Sequence, residues 1–324
     1  MTQTEIKPRL TWADDLKALA IILVIIGHCI QSLDDNFDNN IIFRYIYAFH
    51  MPLFMFISGF FSYKEVVLFI QIKKRFFQLI IPFFCWMVVI CLIEYQFSFG
   101  MVWNMFKHPD IGLWFLWALF FISLIMWGCN ILSRQIKVPP ELIVLSVALS
   151  LNLLLYVTNF KFFGYQFISW YFIFYSFGFF MNKYIKIIDN YWKLLFFLSL
   201  IIYVIGAYFF MLKEAPVFYK WINLGGLFIY VYKITVALSG ILVFYFMFSK
   251  FVKNESKLLV YVGANTLGIY SIHPRILYFI KDFSFVNNFS INIIITILVL
   301  FSLSLLLVWL FSKFKLTSSL FLGK

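Results

Sequence analysis

The first apolar segment of the chain carries ionisable side chains whose spacing could support acid–base chemistry. Asp14 and Lys17 precede an uninterrupted apolar stretch, and His28 follows it. On a helix, the eleven-residue step from Lys17 to His28 is about three turns, so both share one face ~16 Å apart along the axis. Asp14 lies one turn before Lys17, near the same face. A neutral imidazole at this position could accept a proton. Alternatively, Lys17 is a snorkelling anchor, Asp14 a helix-end charge, and His28 a structural hydrogen-bonding group.

The second apolar segment brings another imidazole and a hydroxyl. His50 and Ser58 are eight residues apart, about 80° around a helix, and Pro52 is predicted to kink the helix between them. Both apolar segments adjoin the polar stretch 34–40, so His50 should lie within about two turns of the depth of His28. The two imidazoles could therefore line one cavity, although a buried structural histidine explains His50 equally well.

The composition of the chain requires a membrane to position these groups. Apolar residues make up 64% of the 324 residues, charged residues only 12%, and the mean hydropathy is +0.94. A soluble domain has roughly 45–50% apolar residues and cannot bury this much apolar surface. The net charge of +12 is distributed in short groups between apolar stretches, which is typical of inner-side loops and argues against nucleic-acid binding.

The sequence predicts an all-α, polytopic membrane bundle in a single domain covering 1–324, without an appended soluble domain. Spans require ~20 mostly apolar residues. Ten are predicted: 17–33, 41–62, 79–98, 112–131, 140–158, 166–182, 191–212, 222–249, 260–280 and 291–312. Asn265, His273 and Arg275 interrupt the ninth. The distribution of Lys and Arg between the loops predicts cytoplasmic N- and C-termini. The cysteine spacing indicates no metal site.

Taken in order, the polar motifs of the chain resemble integral membrane acyltransferase family 3, which includes O-acetyltransferases of bacterial surface polysaccharides. The resemblance extends over nearly the whole chain. Its motifs are Asp14-x-x-Lys17 with His28, Phe49-His50-Met51-Pro52 with Ser58-Gly59-Phe60, Lys73-Lys74-Arg75 before Leu79-Ile80-Ile81-Pro82, the segment 113–119, and the segment 263–274. In one departure, Gln78 stands where the family's inner loop often has the second arginine of an Arg-x-x-Arg pair.

The resemblance implies that an acyl group, by preference acetyl, is moved from cytoplasmic acyl-CoA to a hydroxyl of a cell-surface or lipid-linked glycan. The protein would be a multi-pass protein of the bacterial inner membrane. It would use acyl-CoA as a donor substrate without a permanently bound cofactor. Its other partners would be the glycan acceptor, the lipid bilayer and, as a possibility left open, a second copy or glycan-assembly proteins.

The resemblance also assigns roles to individual residues. The catalytic set would be His28, as general base or acyl acceptor, with Lys17 and Asp14. A basic group of residues would bind the donor phosphates. A second group, of polar, charged and aromatic residues, would line the acceptor or acyl pocket. The basic group is Lys73, Lys74 and Arg75; the second is His50, Ser58, Trp114, His273 and Arg275.

Two other classes of protein compete with the enzyme interpretation. An exporter or transporter of a glycan or small metabolite could use buried histidines for proton coupling. The sequence has no internal repeat or paired interrupted half-helices of the kind that inverted-repeat carriers show. A structural membrane subunit would leave the buried Lys, His and Asp without a function. A transporter moves its substrate unmodified, so a requirement for acyl-CoA distinguishes the two main alternatives.

Overall fold

A computed structural model describes residues 11–62, 68–93, 98–109, 113–213, 216, 225–252 and 256–324. Within these ranges the chain is helical and has no strand, as predicted. The helices are α1 Thr11–Leu33, α2 Ile41–Tyr47, α3 His50–Phe60, α4 Leu68–Arg75, α5 Ile81–Ile93, α6 Phe99–Lys107, α7 Trp114–Ile136, α8 Pro140–Thr158, α9 Tyr165–Lys183, α10 Ile185–Asn190, α11 Trp192–Phe209, α12 Gly226–Phe246, α13 Lys257–Ala264, α14 Thr266–Ile280, α15 Phe289–Ser312 and α16 Lys315–Leu322.

Eight segments of the described chain are long and apolar enough to cross a membrane. They are Trp12–Leu33, Ile41–Phe60, Phe69–Ile93, Trp114–Ile136, Pro140–Thr158, Trp192–Phe209, Gly226–Phe251 and Phe289–Ser312. The other two predicted spans correspond to α9 and to α13 with α14. Helix α9 has 19 residues, about 28 Å, and packs against α3, α7 and α8 inside the bundle. Part of the eighth predicted span, 222–224, lies outside the described residues, as do 1–10 and 94–97.

The second predicted span is broken before Pro52 instead of being kinked at it. Helix α2 ends at Tyr47, and α3 begins at His50 after Phe49, whose φ of −145° is not helical. Pro52 therefore lies in the first turn of α3. A missing N–H has no consequence there, because the first-turn amides have no helical acceptor. The predicted kink was wrong for this reason, and the break places His50 at the start of a helix.

The third span begins earlier than predicted. Lys73, Lys74 and Arg75 form the last turn of α4 instead of an inner loop, and the helix continues through a π-helical turn, Phe76–Ile80, into α5. Pro82 has no N–H to donate to the carbonyl of Gln78. A π-helical turn just before such a proline is a usual way to accommodate the missing bond.

The central helix of the bundle is α1. It packs against α3, α13, α14 and α15, while α3 packs most extensively on α9. Because α1, α3 and α14 carry the predicted histidines, this arrangement brings three distant parts of the chain around one interior region.

A buried arginine fixes the polar segment between α1 and α2. The guanidinium of Arg44 donates to the carbonyls of Asp38 (2.7 Å) and Tyr208 (3.0 Å), and the Asp38 carboxylate accepts from the backbone N–H of Leu212 at 2.6 Å. These bonds attach the segment to the end of α11. They also hold α2, which leads directly into the helix that begins with His50.

Candidate active site

One end of the interior region is a cavity of about 290 Å³. Three cations line it: Lys17 from α1, Arg75 from α4, and Lys324, which follows α16. Its other lining residues are Met51, Phe54, Ile57, Ser58, Gln78, Leu79, Phe115, Leu116, Leu119, Ala264, Thr266, Leu267, Tyr270, Leu322 and Gly323. No Asp or Glu side chain is among these lining residues. We call this space the cation cavity.

Asp14 holds Lys17 in the cation cavity. Its carboxylate accepts from the Lys17 ammonium at 3.3 Å, and the Asp14 side chain is buried while Lys17 is 31% exposed. Helix α13 approaches closely at this point, because a Cβ added to Gly263 would lie 2.1 Å from the carbonyl oxygen of Asp14. The ammonium also lies 5.6 Å from the ring centre of Phe61. The predicted proximity of Asp14 and Lys17 is present.

The other end of the region is a cluster of imidazoles. The ring centres of His28 and His273 are 5.3 Å apart in an edge-to-face arrangement. Tyr47 lies between His28 and His50, with ring-centre distances of 6.5 Å and 4.6 Å. The Tyr47 hydroxyl donates to Gln31 Oε1 at 2.7 Å, which fixes its ring. We call His28, His50 and His273 the histidine cluster.

Backbone carbonyls set the tautomers of two cluster members. His50 Nδ1 lies 2.9 Å from the carbonyl oxygen of Ile46, and His273 Nδ1 lies 2.9 Å from that of Ile269. A carbonyl oxygen only accepts, so each Nδ1 carries the proton and each neutral ring keeps a lone pair on Nε2. His273 is fully buried, and its Nε2 has no hydrogen-bond partner within the described part of the chain. A buried acceptor without a donor favours a ligand that brings a hydroxyl or an N–H.

Two helices connect the cation cavity to the histidine cluster. Along α1, Lys17 lines the cavity and His28 follows about three turns later, ~16 Å along the axis. Along α14, Thr266 and Tyr270 line the cavity, and the Tyr270 ring centre is 6.1 Å from that of His273. The cation cavity and the histidine cluster are therefore joined by two helices, although none of the three histidines is among the residues that line the cavity.

The structure brings most predicted site residues together, but not all. Lys73 and Lys74 are exposed, so of the predicted basic group only Arg75 lines the cation cavity. Trp114 stacks on Phe167 at 4.5 Å and on Tyr171 at 4.9 Å, both on α9, and it is not among the cavity-lining residues. Arg275 is half-buried two residues beyond His273, about 200° around α14. The predicted roles of these four residues remain predictions.

Three residues of the site carried no assignment from the sequence. Tyr47 and Tyr270 contact the histidine cluster, but one tyrosine among many aromatic residues gives no distinguishing signal. Lys324 follows a short terminal helix, and nothing in its sequence context indicates that it reaches a cavity formed by α1, α4 and α14.

The fold and site define a polytopic helical membrane protein in which a cavity lined by three cations lies along the same helices as a cluster of histidines. The family profile described as acyltransferase domain matches residues 10–313, and the chain belongs to this family. The resemblance stated from the motifs is thereby confirmed.

Two curated relatives are similar to parts of the chain. Nodulation protein NolL of Sinorhizobium fredii (strain NBRC 101917 / NGR234) is 31% identical over 157 residues, which cover 43% of this chain and 43% of the relative. Nodulation protein NolL of Mesorhizobium japonicum (strain LMG 29417 / CECT 9101 / MAFF 303099) is 36% identical over 126 residues, 35% of this chain and 34% of the relative. The matched region thus spans less than half the length of these relatives. No solved structure matches the chain significantly.

Proposed function

We propose that this protein transfers an acyl group, by preference acetyl, from acyl-CoA to a hydroxyl of a cell-surface or lipid-linked glycan in the bacterial inner membrane. The observation that carries the proposal is the arrangement of the site, in which three cations line a cavity and a cluster of imidazoles lies further along the same helices, in a chain of the acyltransferase family. Cations suit the phosphates of CoA, and a buried imidazole suits proton transfer.

In this proposal the donor lies along α1. Lys17 and Arg75 bind its phosphates in the cation cavity, and the extended pantetheine arm reaches towards His28, ~16 Å further along the helix. The arm would pass between Met51, Phe54 and other apolar lining residues. An apolar lining suits a neutral chain that carries a thioester, because it offers no competing charge.

At the histidine cluster, the acceptor oxygen attacks the thioester carbonyl carbon. His28 takes the hydroxyl proton, the C–S bond breaks, and the leaving sulfur recovers that proton, so the products are an ester and free CoA. The Nε2 lone pair of His273 accepts a hydrogen bond from a neighbouring hydroxyl of the acceptor, which a sugar readily offers. A two-step route, in which His28 is itself acylated, uses the same geometry.

The test is donor consumption by purified protein in detergent. Radiolabelled acetyl-CoA is added with total cell-envelope glycolipid, and free CoA, labelled glycolipid and labelled protein are measured. His28→Ala should abolish CoA release, whereas the matched control His108→Ala should not, because His108 is exposed and outside the site. Label on the wild-type protein would favour the two-step route.

Two results would overturn the proposal. One is CoA release by His28→Ala at the rate of the His108→Ala control. The other is movement of unmodified glycan into or out of reconstituted vesicles without any acyl donor, which would establish the transporter alternative.

A further inference from the structure

The end of α16 is fixed in place by contacts with α5 and α14. The indole N–H of Trp86 donates to the carbonyl of Phe321 at 3.0 Å, and Leu322 is buried. A Cβ added to Gly268 would lie 2.7 Å from the Leu322 side chain. Gly323 has a φ of +65°, in the left-handed region that favours glycine, and this turn directs Lys324 towards the cation cavity.

A second contact orients the ammonium of Lys324. It donates to Asn265 Oδ1 at 2.5 Å, and Asn265 Nδ2 in turn donates to the carbonyl of Tyr261 at 2.7 Å. The amide of Asn265 is thereby held with its oxygen towards Lys324. Asn265 is buried, and it is the residue at which α13 and α14 separate.

The surroundings of Lys324 disfavour its positive charge. Partial burial lowers the pKa of Lys324, which means that its surroundings disfavour the ammonium form. Asn265 supplies a neutral oxygen, and Asp14, the carboxylate paired with Lys17, is not among the residues that line the cavity. Three cations therefore line a space of about 290 Å³ whose described lining contains no Asp or Glu side chain.

We propose that Lys324 is a donor-binding residue, which with Lys17 and Arg75 forms a three-cation site for the phosphate groups of the acyl-CoA. This inference rests on the proposed function for the identity of the donor, but the anion site itself does not. Asn265 acts through Lys324, as a positioning residue that directs the ammonium into the cavity.

Position 78 offers a way to test charge separately from structure. Gln78 lines the same cavity, and a Cβ added to Gly323 would lie only 2.4 Å from the Gln78 carbonyl oxygen. A cationic side chain introduced at position 78 would therefore leave the backbone next to Gly323, the residue that precedes Lys324. The double variant Lys324→Gln with Gln78→Arg should restore a positive charge to the cavity without restoring Lys324.

The experiment measures equilibrium binding of CoA, and separately of inorganic pyrophosphate, to the full chain in detergent. Lys324→Gln keeps a side chain that can donate to Asn265 but removes the charge. It should weaken CoA binding about tenfold or more, which corresponds to a loss of ~1.4 kcal/mol of binding free energy. Lys324→Arg and the double variant should bind within a few-fold of wild type. The matched control is Lys315→Gln, which removes a charge from an exposed position at the start of α16.

The outcomes separate this inference from the proposed function. Equal CoA affinity in Lys324→Gln and Lys315→Gln would overturn the role of Lys324 and leave acyl-CoA as the donor. Pyrophosphate binding that depends on Lys324, together with no CoA binding by wild type, would support the three-cation site and refute acyl-CoA as the donor. Failure of wild type to bind either compound would overturn both.

Discussion

The crossing of α3 and α9 is the packing contact on which the site depends most directly. A Cβ added to Gly178 on α9 would lie 2.1 Å from the carbonyl oxygen of Phe56, and one added to Gly59 on α3 would lie 1.9 Å from that of Tyr175. Ordinary van der Waals contact begins near 3.4 Å. The obstructing atoms belong to the backbone, so Gly178→Ala must move the two helices apart by roughly 1 Å instead of rotating a side chain.

The consequences of Gly178→Ala can be estimated for stability and for activity. Overpacking of this kind destabilises by about 1–3 kcal/mol. Helix α3 carries His50 at its start and Ser58 near its end, so a shift of ~1 Å would also misalign the site, which can reduce turnover by on the order of 10²-fold. We therefore expect both a lower unfolding temperature in detergent and a loss of CoA release from acetyl-CoA.

A matched substitution on another membrane helix provides the control. Gly128 lies within α7, and a Cβ added there meets no atom within 4 Å. Gly128→Ala should leave the unfolding temperature unchanged or slightly raised, because alanine has the higher helix propensity. The reasoning is refuted if Gly178→Ala unfolds at the same temperature and turns over at the same rate as Gly128→Ala.

Three further substitutions test individual assignments. Arg75→Met should weaken CoA binding about 10- to 150-fold, which corresponds to the ~1.5–3 kcal/mol of a hydrogen bond to a charged group. Lys73→Met, at an exposed position, should change CoA binding by no more than a few-fold. Equal losses of CoA affinity in the two variants would contradict the assignment of Arg75 to the cavity. Trp114→Leu should lower the unfolding temperature without raising the KM for the acceptor, because the Trp114 ring stacks on α9. A raised KM with unchanged stability would instead support a role of Trp114 in substrate binding. Tyr47→Phe removes the hydrogen bond to Gln31 but keeps the ring beside His50. Turnover should therefore fall by no more than about tenfold. Complete inactivation would mean that the Tyr47 hydroxyl takes part in the reaction.

The positions of the membrane helices follow from local hydropathy, which explains why the sequence predicts them well. The predicted span 140–158 coincides with α8, Pro140–Thr158, because proline and glutamate mark its start and apolar residues fill its length. The break at Phe49 and the helical state of Lys73 to Arg75 were not predictable in this way. They depend on backbone geometry beside Pro52 and Pro82 and on packing against other helices, which hydropathy does not record.

The site shows the same division between local and distant information. Lys17 and His28 lie on one helix, so helical periodicity alone predicts their shared face and their separation. His273 contacts His28 only because α14 packs against α1, and Lys324 lines the same cavity as Lys17 only because α16 folds back on α5 and α14. These contacts join residues far apart in sequence. Composition and periodicity contain no information about such pairings.

The distribution of polarity within the site bears on the choice between transfer and transport. The cations line a cavity whose lining also includes an apolar stretch with Met51, Phe54 and Leu119, and the histidine cluster lies further along α1 and α14. A hydrated glycan or ion would have to lose its hydrogen bonds to water in this stretch, at several kcal/mol for each unpaired polar group. An acyl thioester arm would cross it with little desolvation, while its phosphates stay among the cations. The apolar lining of the cavity therefore favours a donor that is charged at one end and reactive at the other over a polar solute that must pass through.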